Sequence, residues 1–507
     1  MNEQQNVWNG LPHEHRTSVK QSVRGALDLG VRDYRNDFGH KIPQNPTPRA
    51  ILSAPGLRPP QTVNSTSQST PRLLSFELTA NRVRTWGIKS GLSIVDQVLV
   101  SGAGFLLSFL LARWMTSEVY GAFAVAFATI LFLSGFHNVL LLEPMSVMGP
   151  ARYSSRTAGY FAAQLKIHKL LGVLLASVLL LMALSMKLLG ANRDLATATA
   201  ASAFALPFFL MLWLVRRMAY MVQRPAIAGW ASGGYFLLTL VGLLVLHRMN
   251  KLSPSTAFLL MGSAGLFSAA LPLWQLGMLG ATTDDPISSK ACSWKAVAKE
   301  NWSYGRWLVL SAVLFSVAAQ IQTYLAAGLL GLGAAGIFRA MQMPSLVMTQ
   351  IVTAVGLLVL PSMSHEFGLG QLVRLRYKAA LASAFLTLIA LGYAAVLWLF
   401  AVSIEHLLYR GKYSSYVQLI PILGMVPVCT GLASGFSMAA RSSQKPYIDL
   451  VANAISAPVG LITAAVFIRL WGLNGAAFSL VAGFAAYAAV FCWSFQRSTK
   501  QIDIPAS

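Results

Sequence analysis

The sequence predicts an all-α integral membrane protein: about twelve transmembrane helices in two parallel-repeat six-helix bundles, behind a basic tail. Hydrophobic residues make up 55% of the 507 and charged residues only 11%, against about 25% charged in a soluble globular protein. From Leu92 onward, apolar stretches long enough to cross about 30 Å of hydrocarbon recur between short polar breaks. The second six stretches repeat the first at an offset near 220 residues.

The first 89 residues differ from the rest. They hold twelve Lys/Arg against six Asp/Glu, with many Pro, Ser, Thr, Asn and Gln. No charged n-region followed by an apolar h-region opens the chain, so no cleavable signal peptide is expected. The runs 43–48 (Pro-Gln-Asn-Pro-Thr-Pro) and Ser65–Pro71 cannot bury enough apolar area to offset ordering entropy. The segment 1–89 therefore reads as a disordered, basic, cytoplasmic tail. Its charge either rests on anionic membrane lipids or follows the general bias of Lys and Arg toward the cytoplasm.

The apolar stretches fall near 92–112, 120–142, 166–188, 196–215, 226–247, 255–279, 304–328, 335–360, 379–402, 416–439, 447–468 and 474–495. This gives an N-terminal bundle over 90–280, a cytoplasmic linker over 281–303, a C-terminal bundle over 304–496 and a cytoplasmic terminus over 497–507. With the tail in the cytoplasm, the even-numbered breaks and the C-terminus carry eighteen Lys/Arg and the opposite breaks eight. Both termini are therefore expected in the cytoplasm of a multi-pass protein. The net charge of +22 is spread between apolar runs rather than gathered on one face with aromatics, which excludes a nucleic-acid surface. Cys292, Cys429 and Cys492 are too far apart to imply a metal site or a disulfide framework.

The repeat is carried by four matches in the same order. Gln223-Arg224-Pro225 recurs as Gln444-Lys445-Pro446, and Thr256-Ala257-Phe258 as Ala476-Ala477-Phe478. Tyr120-Gly121-Ala122-Phe123 recurs as Ala335-Gly336-Ile337-Phe338, and Pro144 as Pro361. An offset of six spans keeps both halves in one orientation, an arrangement common in secondary transporters.

Within these turns a family resemblance emerges. The run Leu110-Leu111-Ala112-Arg113-Trp114-Met115-Thr116-Ser117-Glu118-Val119-Tyr120-Gly121 resembles the LARxLGPxxYG turn of bacterial polysaccharide (Wzx-type) flippases. Leu329 to Phe338 is similar to the LLGxxxVGxY turn opening their second half, with Phe338 in place of its Tyr. Leu360-Pro361-Ser362-Met363-Ser364 resembles their LxPxLS ending of span eight. The resemblance covers roughly 85–495 and excludes the tail. It implies a V-shaped transporter of the multidrug/oligosaccharidyl-lipid/polysaccharide exporter superfamily, in the bacterial inner membrane. The implied cargo is an oligosaccharide linked to undecaprenyl pyrophosphate, for exopolysaccharide, O-antigen or capsule synthesis. The expected partners are that cargo, membrane lipids, and the polysaccharide polymerase and chain-length proteins of such a pathway.

Ionisable groups inside spans are costly and mark candidate sites. Asp96, beside Gln97, could bind a coupling H+ or Na+, or could pair with Lys89 or a headgroup near the cytoplasmic end of span one. Glu143 precedes Pro144, which loosens the helix, and is either an ion-coupling group or a helix-end carboxylate; His137 is a candidate for coupling or a hydrogen-bonded core histidine. A pyrophosphate needs fixed positive charge, and guanidinium matches its oxygens with a planar fork. Arg113 and Arg339, near the external ends of spans one and eight, are the candidate contacts, with Gln342 and Gln320 as polar neighbours. Snorkelling to the interface is the alternative for both arginines. Arg216, Arg217 and Arg306, at cytoplasmic span ends, would attract the anion before entry or anchor the helices. No metal site and no cofactor is expected beyond a coupling ion.

Two other functions compete. A small-molecule or drug antiporter of the same superfamily would show more acidic cavity residues. A membrane polysaccharide polymerase or ligase would need a sizeable external loop with catalytic groups, and the external breaks are short. Asp284-Asp285 resembles the acidic pair of a glycosyltransferase but has no nucleotide-binding domain around it.

Overall fold

The computed structural model describes residues 71–277, 292–443 and 447–500. The chain divides into two units, Met1–Ser75 and Phe76–Ser507. Of the first, only 71–75 are described, and they open a helix. Residues 1–70 of the predicted tail, the Asp284-Asp285 pair and the Gln444-Lys445-Pro446 motif lie outside the described residues.

Thirteen α-helices account for the regular structure of the described residues. They are α1 (Pro71–Trp114), α2 (Ser117–His137), α3 (Glu143–Arg152), α4 (Thr157–Leu188), α5 (Arg193–Met221), α6 (Pro225–Arg248) and α7 (Pro254–Gln275). After the inter-bundle loop come α8 (Trp294–Leu330), α9 (Leu332–Gly368), α10 (Leu372–Leu399), α11 (Ala401–Tyr409), α12 (Leu419–Ser442) and α13 (Tyr447–Lys500). Ten helical stretches among the described residues are long and apolar enough to cross a membrane. They map onto the twelve expected spans with two differences. Spans eleven and twelve share α13, which breaks at Gly472 (φ 56°, ψ −131°). Span eight lies in α9, which carries Arg339 and is not one of the ten.

Two expected boundaries move. Helix α1 begins at Pro71, inside the stretch read as tail; proline is well placed in a first turn, where its missing N–H has no partner to lose. Helix α8 begins at Trp294, so the second half of the predicted linker is helical. It is held by Val297, which is fully buried, and by Asn301, which exchanges amide hydrogen bonds with Gln164 of α4 (3.1 and 3.5 Å).

Helix starts follow local chemistry. Ser253 and Thr256 form a capping box ahead of α7, and Asn192 accepts from the backbone N–H groups of Asp194 and Leu195 at the start of α5. Between α2 and α3, residues Asn138–Leu142 form one π-helical turn, with the Glu143 N–H bonded to the Asn138 carbonyl. Pro144 has no N–H to continue the ladder, so the register shifts just before it.

In the N-terminal half, α5 packs against α2, α4 and α7, and α6 against α7; in the C-terminal half, α12 packs against α9, α10 and α13, and α8 against α13. Helices in lipid associate through small residues that let backbones approach. Gly262 and Gly265 of α7 lie against Ala205 and the Phe208 carbonyl, and Gly431 and Gly435 of α12 against Leu386 and Ala379.

The halves meet where α2 packs against α8 and α9. Here the two ends of the molecule differ. At the end where span one finishes (the distal end), Ala103, Leu107, Leu111 and Ala112 of α1 and Met115 just after it are buried, as are Ala335, Phe338, Ala340 and Met341 of α9. Toward the tail side exposure alternates, with Val95 53% and Val98 63% exposed beside the fully buried Asp96 on α1, and Val347 and Ile351 exposed beside the buried Met348 on α9. There Ser101 of α1 still donates to Gln350 of α9 at 2.9 Å.

Candidate functional site: a polar seam between the halves

The distal closure is built on backbone contact. A Cβ on Gly121 would collide with the Leu332 carbonyl, and one on Gly336 with the Ser117 carbonyl. These are the two glycines of the repeated Tyr-Gly and Ala-Gly turns, so the internal repeat places its smallest residues face to face. Beneath them, Tyr120 is fully buried and shares a 2.8 Å hydrogen bond with Ser108.

Arg339 lies next to Tyr120, within electrostatic reach of its phenol. It is 8% exposed and donates to Gln342 Oε1 at 2.9 Å. Among the described residues, no ion pair includes it. A guanidinium in this position keeps donors available for an anion, which an isolated surface arginine would offer to water. Arg113 is half-buried, with its guanidinium 5.9 Å from the Phe109 ring centre; its cation–π contact fits the snorkelling alternative.

The C-terminal half reaches across this seam. Residues 410–413 turn sharply, with Arg410 and Gly411 at φ 58° and 82°. The turn carries Lys412, whose ammonium donates to the carbonyls of Ala112 (2.7 Å) and Met115 at the end of α1. Tyr413 donates its phenol to the same Ala112 carbonyl (2.9 Å), and its N–H bonds Glu405 (2.7 Å). Tyr409 donates to the Ala340 carbonyl at 2.8 Å. Burial pushes the Lys412 ammonium below its ordinary pKa and the Tyr409 and Tyr413 phenols above theirs.

Asp96 sits apart from this seam, fully buried on α1. Arg216 grips it with a two-pronged ion pair (3.0 and 2.7 Å), and Tyr220 (2.5 Å) and Ser232 also donate to it. Among the described residues its partner is an arginine from span four, which spacing alone could not place; the Lys89 side chain lies outside the described residues. Four donor groups leave Asp96 satisfied as an acceptor. The ion pair also occupies Arg216, one of the predicted anion contacts.

His137 is buried against His168 of α4, with Nε2 and Nδ1 3.0 Å apart, while His137 Nδ1 has no partner. Glu143 lies within electrostatic reach of Arg217 and, across the halves, of Arg441. Arg441 in turn pairs with Asp449 at 2.9 Å. Arg306 is exposed on the tail-side part of α8. Gln320 is half-buried, and its neighbour Gln322 is buried with both amide atoms lacking a partner. The structure thus brings Arg339 and Gln342 together at the distal seam and Glu143 and Arg217 together on the tail side. Asp96 with Arg216, and His137 with His168, form separate buried pairs. The sequence reading missed Tyr120, Lys412, Tyr413 and His168. Only the repeated turn at Tyr120 carried a signal; Lys412 looked like one more loop charge.

Known proteins give the framework. A family model described as polysaccharide biosynthesis protein matches residues 89–366, more than half of the chain. No curated protein matches it. Among solved structures, an inward-facing multidrug resistance MATE family transporter of the MOP superfamily superposes with a TM-score of 0.60 at 15% identity, over 82% of this chain and 96% of that one. The outward-facing form of such a transporter gives 0.61 at 14% identity, over 82% and 96%. A eukaryotic MATE transporter gives 0.62 at 14% identity, over 83% and 98%. The two conformations match equally well, so the likeness is one of fold rather than of state. The chain belongs to the polysaccharide biosynthesis protein family and has the fold of the MATE transporters.

Proposed function

We propose that the protein moves an oligosaccharide linked to a lipid pyrophosphate across the bacterial inner membrane by alternating access, supplying polysaccharide synthesis. The observation that carries this reading is Arg339: a buried guanidinium where the halves meet, hydrogen-bonded to Gln342 and, among the described residues, without a carboxylate partner. A buried charge without a counter-ion is costly, and a visiting pyrophosphate would supply that counter-ion. Gln342 and Tyr120 line the same place with neutral polar groups. With the tail in the cytoplasm, the exposed Val95 and Val98 of α1 and Val347 and Ile351 of α9 lie toward the leaflet where such a lipid would load. Arg217 and the exposed Arg306 stand on that side as first contacts. Asp96, gripped by Arg216, Tyr220 and Ser232, serves as a brace within the N-terminal half in this state.

The test is a deletion strain complemented with wild-type or Arg339→Met protein. Loss of the protein should make lipid-linked oligosaccharide accumulate on the cytoplasmic leaflet, with the methionine variant failing to restore export and Arg339→Lys restoring part. Drug hypersensitivity without accumulation would point to a small-molecule antiporter and overturn the reading. Sugar polymerisation by the purified protein alone would point to an enzyme.

A further inference from the structure

The loop between spans nine and ten does something that neither the fold nor the cargo requires. The last carbonyls of any helix lack intrahelical partners and carry the negative end of its dipole. For α1, the helix ends at Trp114, and the Leu111 carbonyl is bonded by the Met115 N–H. The next carbonyl, Ala112, receives Lys412 Nζ and the Tyr413 hydroxyl, both from the opposite half. Lys412 also reaches the Met115 carbonyl. The C-cap of the first helix of one half is therefore supplied in trans by the other half.

The loop is shaped for this task. Arg410 and Gly411 adopt left-handed backbone conformations in succession, and a side chain at Gly411 would press on the His406 ring. Glu405 fixes the Tyr413 N–H, and Lys412 lies 4.9 Å from the Tyr413 ring centre. Lys412 is an exposed residue with no ion pair among the described residues, and the two carbonyls are the partners its ammonium takes. When the distal ends part, Lys412 gives these carbonyls up to water and α1 loses its cap.

We propose that Lys412 and Tyr413 form a latch that holds the distal end closed and sets how readily the two halves part there. The latch acts on the Gly121–Gly336 seam from outside, closing it without contacting Arg339. It rests on alternating access but not on the identity of the cargo.

Distances between spin labels on the full chain in nanodiscs, in a cysteine-free background, test it without any substrate. One label pair sits at Ala191→Cys and Val402→Cys on the distal side, and another at Ala151→Cys and Leu369→Cys on the tail side. Lys412→Met should add a longer distal distance and a shorter tail-side one, raising the open-to-closed ratio at least tenfold, equivalent to about 1.4 kcal/mol. Tyr413→Phe, which deletes a single oxygen, should shift the ratio in the same direction by less. Unchanged distal distances in both variants overturn the proposal. So does a lower melting temperature with unchanged distances, because the loop would then be a structural cap only.

Discussion

Asp96→Asn is the substitution whose consequence the structure defines most sharply. The carboxylate is fully buried, and the Arg216 side chain that grips it is 12% exposed. Removing one partner of such a pair leaves an uncompensated charge and costs about 3–5 kcal/mol. Asparagine keeps the shape and one oxygen, so Tyr220 and Ser232 retain an acceptor. Each of their bonds drops, however, from the charge-assisted range of about 1.5–3 kcal/mol to the neutral range of about 0.5–1.5. Asparagine also offers Arg216 an NH2 group or one neutral oxygen in place of a carboxylate. The loss should therefore fall toward the upper end of that range, and Arg216→Met alone should lose a similar amount. The double variant should recover part of it, because no buried charge then lacks its partner. SDS-titrated unfolding in mixed micelles, applied as a double-mutant cycle, should give a coupling of about 2–3 kcal/mol. Additivity within about 0.5 kcal/mol would refute the brace and show that solvent reaches Asp96.

Two further substitutions probe the seam and the C-terminal half. Gly121→Val should prevent the Tyr-Gly and Ala-Gly turns from closing, since the obstructing atom is the Leu332 backbone carbonyl; overpacking of about 1–3 kcal/mol should lower the distal-closed fraction roughly five- to hundredfold, read by the distal label pair. Gln322→Leu replaces a buried amide that has no hydrogen-bond partner with an apolar side chain of similar length. It should raise the unfolding free energy by about 1 kcal/mol or more in the same SDS titration, whereas a fall would mean that the amide binds a partner in the membrane.

The helical membrane fold was legible because lipid enforces it: every backbone polar group must be satisfied within its own segment, so hydropathy reads out the spans one by one. The repeat was legible for a related reason. Gly121 and Gly336 belong to equivalent turns, and the structure brings those turns into backbone contact. What stayed hidden depends on which spans adjoin. Asp96 and Arg216 are separated by 120 residues, and His137 and His168 by 31. Neither interval is a helical period, and each pair is set by how separate spans pack, the first between spans one and four and the second between spans two and three. The helical start of α8 was hidden because its apolar face is short, with Val297 and Asn301 buried while Trp302 is exposed. Lys412 was hidden for the opposite reason: short loops are expected to carry a lysine or two, and its role depends on an orphan carbonyl 300 residues away.

The placement of the cations at the distal seam bears on how the halves exchange positions. Tyr120 lies within electrostatic reach of Arg339 on one side and of Tyr409 and Tyr413 on the other. The distal seam thus gathers two ammonium or guanidinium groups around neutral phenols, while the carboxylate there, Glu405, is turned toward the Tyr413 backbone. In the distally closed state Lys412 is compensated by helix carbonyls, whereas Arg339 has only the Gln342 amide. On the proposed reading, an anionic cargo entering from the tail side would relieve the one cation that closure leaves uncompensated. The gain could offset the loss of the Lys412 cap only if the cargo bound the distal-open state more tightly than the closed one, because a ligand with equal affinity for both shifts nothing. Arg339 would then set how strongly the cargo drives opening, and Lys412 how far the empty protein resists it.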